Sequence, residues 1–93
     1  MISRDDLQAA LTRAKQAQKQ CDSIGMYWAV TKKVRGPDHP DTREVQQAFD
    51  VARDGARDLR YAYFSLRDER EAQIGRQRAI AAEAQGALFG GQV

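Results

Sequence analysis

One cysteine, one histidine and two prolines in 93 residues leave little from which to build most kinds of site, and each scarcity closes off a class of protein. Cys21 alone excludes an intramolecular disulfide, and with His39 as the single histidine no zinc-ligand spacing exists, so no metal or cofactor is expected. His39 lies between Pro37 and Pro40 with no Cys or Ser partner visible in the sequence, which leaves no nucleophile–base pair and no expectation of enzyme activity. No basic-apolar-small leader opens the chain. The longest apolar run, Met26 to Val30, is far short of a membrane span, and the chain reads as cytoplasmic, with no membrane partner. A surplus of charge is missing as well. Fifteen Lys and Arg face thirteen Asp and Glu, a net charge of +2 that creates no general attraction to nucleic acid or anionic lipid.

What remains is a sequence rich in Ala, Gln, Arg, Leu and Glu with almost no strand signals, and both prolines fall inside Gly36–Pro40. This predicts an all-α chain, a long antiparallel two-helix hairpin resembling a coiled coil, with one domain spanning residues 1–93. The first helix is expected over about 4–34, a loop over 35–41, the second helix over about 42–85 and a short tail over 86–93. Ser3 with Asp6 three residues on reads as the first N-cap, and Gly36 sits where a C-cap glycine belongs. Asp41 with Glu44 resembles a capping box, with Thr42 as the rival cap. At this length a single hairpin has too small a core to stand alone, so it is expected to associate with itself and complete a helical bundle.

The packing seam can be read from spacing. On the first helix Leu7, Leu11, Ala14, Cys21, Gly25 and Trp28 recur at three and four residues, interrupted by Gln18, with Ala10, Ala17, Ile24 and Tyr27 widening the stripe. On the second, Val45, Phe49, Ala52, Ala56, Leu59, Tyr63 and Leu66 continue it. Folding about residue 38 pairs positions whose numbers sum to roughly 76. Trp28 then meets the level of Ala48 and Phe49, Cys21 that of Gly55, and Ala10 and Ala14 the stretch from Tyr61 to Leu66, large residues against small. Residues after about Glu71 have no counterpart on the first helix and form an overhang.

The overhang ends in an apolar strip, Ile80, Ala81, Ala84, Leu88 and Phe89, and the residues expected to meet a partner protein are Ile80, Ala84, Gln85, Leu88 and Phe89. The stretch Gln85-Gly86-Ala87-Leu88-Phe89 resembles the bacterial sliding-clamp-binding pentapeptide, in which a glutamine anchors and a terminal Leu-Phe pair fills an apolar pocket. That resemblance implies a replication or repair accessory as one alternative function. Gly36-Pro37-Asp38-His39-Pro40-Asp41-Thr42 resembles the inter-helix loop of kinesin-light-chain-type tetratricopeptide repeats, but no second copy follows at the 34-residue period. It is turn chemistry shared by two kinds of helical hairpin.

The second alternative is nucleic-acid binding through an Arg-rich second helix. Eight arginines between Asp41 and Gln85 are opposed there by nine acids, which a phosphate-tracking surface would not carry. Asp50, Asp54 and Asp58 repeat every four residues as a carboxylate metal site might, yet no Glu-x-x-His accompanies them, and Arg53, Arg57 and Arg60 are placed to neutralise them. The function the sequence favours is therefore non-enzymatic. It is that of a structural or assembly protein, of the kind found among accessory, phage and mobile-element components, whose partners are copies of itself and an unidentified protein.

Overall fold

The computed structural model describes residues 1–89, and side chains as far as Ala87. Helix α1 spans Arg4–Arg35 and helix α2 spans Pro40–Phe89, with no strand among the described residues. Their 32 and 50 residues correspond to about 48 and 75 Å of helix. They lie antiparallel along one shared seam, the hairpin predicted from the sequence.

Local chemistry sets each helix end. At the start of α1 the Ser3 hydroxyl accepts from the Asp6 backbone N–H at 3.1 Å, while the Asp6 carboxylate accepts from the Ser3 N–H at 2.9 Å. This reciprocal pair satisfies two of the amides that a helix start leaves open. It also holds the Asp6 carboxyl below its ordinary value, because the Ser3 N–H favours the charged form. At the other end Gly36 adopts φ 89° and ψ 159°, a combination essentially reserved for glycine, and its N–H donates to the Lys32 carbonyl at 2.9 Å.

The reversal is tighter than the sequence suggested. The loop comprises residues 36–39 in place of 35–41, because Pro40 is itself the first residue of α2, where its missing N–H and fixed φ do no harm. The expected Asp41–Glu44 capping box is replaced by His39: its carbonyl accepts from Arg43 N–H at 3.1 Å, and its Nδ1 accepts from Asp41 N–H at 3.1 Å. The Asp41 carboxylate lies 3.8 Å from the same nitrogen. Thr42 is no cap either. It is the most deeply buried side chain, 1% exposed, and its hydroxyl donates to the Gly36 carbonyl at 2.7 Å, tying the two helix ends together.

The far end also differs. The tail expected over 86–93 is helical as far as Phe89, since Gly86 stands among Ala84, Gln85 and Ala87 and one glycine weakens a helix by only about 1 kcal/mol.

The seam follows the predicted register. Trp28 stacks on Phe49 with ring centroids 5.5 Å apart, and a Cβ placed on Gly25 would stand 2.9 Å from the Phe49 ring, so this glycine is what lets the ring in. Toward the open end the Ile2 N–H donates to the Gln73 side chain at 3.0 Å, which places residues 2 and 73 side by side. Ala14, Cys21 and Ala56 are buried, while Leu7, Leu11, Ile24, Trp28, Val45, Phe49, Ala52, Tyr63 and Leu66 are half-buried.

Three seam assignments need correction. Leu59 is 36% exposed, because the residue at its level on α1 is Ala17, too short to cover it. Gly55 does not oppose Cys21: Ala56 holds the buried position and the space over Gly55 is open. Tyr27 is exposed, and the stripe passes Gln18 by way of the half-buried Ala17.

Trp28→Ala is expected to lower unfolding free energy by about 3 kcal/mol, the lower end for an aromatic because Trp28 is only half-buried. Urea unfolding followed by circular dichroism measures it, and an unmoved midpoint would contradict this packing. A second expectation concerns acid. A depressed folded-state pKa stabilises above the ordinary value of 3.8 and is lost as pH falls through the lower, folded one. The Ser3 amide resonance should therefore hold its capped position at neutral pH and leave it only below about pH 4, in step with fraying of the first turn of α1.

Candidate interaction surfaces

A hairpin offers two long sides and two ends, and here the sides differ in chemistry. On one side the seam aromatics are roofed by cations. Lys32 Nζ lies 4.6 Å from the Trp28 ring, and the Arg53 and Arg67 guanidiniums lie 5.8 and 5.0 Å from the rings of Phe49 and Phe64. In each pair the charged group itself stands near the ring while the side chain stays exposed.

Ion pairs run along the outer edge of that side. Arg53 approaches Asp50 at 3.5 Å and Asp54 at 3.8 Å, and Arg57 approaches Asp54 at 3.9 Å and Asp58 at 3.8 Å. Arg53 and Arg57 thus bridge the three aspartates that repeat every four residues, while Arg60, expected to join them, stands at the rim of an apolar notch. Among the described residues no group of three or more His, Cys, Asp or Glu is placed to hold a metal ion. The same pairing engages two of the eight arginines of α2. An apolar notch interrupts this side where Leu11, Ala14, Ala56, Tyr63 and Phe64 meet, rimmed by Lys15 and Arg60.

On the opposite side a shallow groove runs beside the apex, its floor made by Ile24, Thr31 and Val45 and its walls by Tyr27, Val30, Val34 and Ala48. Its charged neighbours are few, namely Arg35, Asp41 and Glu44. The sequence holds a signal for this surface. Tyr27, Val30 and Val34, and likewise Ala48, Val51 and Gly55, form a second series at three- and four-residue spacing beside each seam stripe. The main stripe is stronger and draws the eye.

The overhang carries the remaining candidates. Gly75 through Ala87 are all exposed, and no residue of α1 lies alongside them, so some fifteen residues of α2, about 22 Å, project as a single helix. Ile80, at 65% exposure, and Ala84 share one face a turn apart, and Gln85 is exposed beside them. Leu88 and Phe89, the other residues expected to meet a partner, have side chains outside the described residues.

No described helix is long and apolar enough to cross a membrane. No family model matches the sequence, and no curated protein or solved structure matches it.

Exposed pairs of this kind contribute little. Replacing Arg53 and Arg57 together by Gln is expected to change the unfolding free energy by no more than about 1 kcal/mol per pair removed. A loss of several kcal/mol in thermal melts at low salt would reveal a cooperative network in place of a solvated face.

Proposed function

We propose that the protein works by binding, without chemistry: a helical hairpin that associates with copies of itself and holds the single-helix end of α2 out toward another protein. The observation that carries this is the imbalance between surface and core. The chain exposes 7271 Å² for a mass of 10.4 kDa, whereas a compact monomer of that mass exposes about 5,400 Å². Only Ala14, Cys21, Thr42 and Ala56 are buried among the described residues. Association between copies is the usual way for so thin a structure to remove apolar surface from water. The overhang supports the second half of the reading, since Ile80 and Ala84 stand on a face that the hairpin leaves uncovered.

Light scattering over about 1–100 μM should give a mass above the 10.4 kDa of one chain, rising with concentration. Truncation after Glu83 should leave that mass and the helical signal per residue unchanged, because the removed segment lies beyond the paired region. Collapse of the truncated chain to monomer would assign the last residues to self-assembly and remove them as a partner-facing element.

A further inference from the structure

Resting on the self-association just proposed, we infer that a second copy of this chain seats on the apex-half groove side, lined by Tyr27, Val30 and Val34 of α1 and by Val45 and Ala48 of α2. The two copies meet through this same surface and close a four-helix bundle.

The chain exposes about 1,900 Å² more than a compact monomer of its mass, part of it on the overhang and part along the sides of the hairpin. On the groove side that surface is apolar: Tyr27 is 64% exposed, Val30 59% and Val34 74%, area of the kind that association hides.

The side presents knobs, Tyr27, Val30 and Val34, next to low ground at Ala48. A surface that carries both projections and hollows can pack on itself about a two-fold axis.

On the cation-roofed side Arg53, Arg57 and Arg67 stand beside aspartates of their own helix, and Lys15, Lys32 and Arg60 add further cations, so contact there would strip water from many charges. The groove is lined by one cation, Arg35, and two acids, Asp41 and Glu44, around an apolar centre, so fewer charges lose water on this side.

The full chain is compared with the double substitution Val30→Glu, Val34→Glu, both in the groove lining, and with Tyr61→Glu, whose residue is also exposed, at 58%, but lies outside the groove. Sedimentation equilibrium should give twice the chain mass for the parent and for Tyr61→Glu. The double variant should dissociate at least about 100-fold more readily, as two acids placed in an apolar contact require. Should that variant lose its helical signal, the parent itself decides: in a sample mixing isotope-labelled and unlabelled chains, intermolecular contacts are expected at the methyl groups of Val30 and Val34. A parent that stays at the mass of one chain overturns both this inference and the self-association it rests on. A parent dimer that survives the double substitution, or whose intermolecular contacts fall at Leu11 and Phe64, overturns the inference and leaves self-association standing. A mass above two chains overturns the two-copy closure.

Discussion

Two helices lying side by side can each hide only one stripe from water, and the rest of this structure follows from that limit. A stripe at three- and four-residue spacing buries the small residues Ala14, Cys21 and Ala56, because small side chains fit between the helix axes. Larger ones, such as Trp28, Phe49 and Tyr63, reach across the seam and remain half-covered. The molecule answers this in two ways. Lysine and arginine cations stand near the aromatic rings on one side, and on the other the apolar residues beside the apex are left to face outward.

The reversal matters because it fixes which stripe residues meet. Gly36 turns the chain in a backbone region other residues avoid, Pro40 starts the return with φ already set, and the Thr42 hydroxyl locks onto the Gly36 carbonyl. A loop longer by one residue would shift the register of every layer behind it, and the ring of Phe49 would no longer find Gly25 beneath it. The tightness of the turn is thereby felt as far away as Ile2 and Gln73, which meet at the open end.

Most of this was legible in the sequence because helix signals are local. Ser3 with Asp6, Gly36, and the Pro37 and Pro40 pair mark boundaries by chemistry that needs no distant residue, and the register followed from where the turn had to be. Misplaced features were those set by three dimensions. Leu59 belongs to the stripe by spacing but is uncovered because Ala17 opposite is short, and Thr42 reads as a cap until the other helix end arrives to take its hydroxyl. His39 as the cap of α2 was hidden because imidazole is an uncommon cap acceptor and Asp41 a common one. The outward-facing Tyr27, Val30, Val34 and Val51 were visible as letters but carried no meaning until the seam had used up the neighbouring stripe.

The difference in length between α1 and α2 divides one continuous helix into two mechanical regimes. From Pro40 to about Gln73 each turn is braced by α1, and bending or unwinding it means breaking side-chain packing as well as backbone hydrogen bonds. Beyond that point only the backbone ladder resists, and isolated helical segments of about fifteen residues are marginal in water. Amide exchange should thus fall into a slow block and a fast block within a single element. A ligand that wants the last turns straight and one that wants them pulled open would each meet only the helix–coil balance of those turns, while the braced part keeps its form.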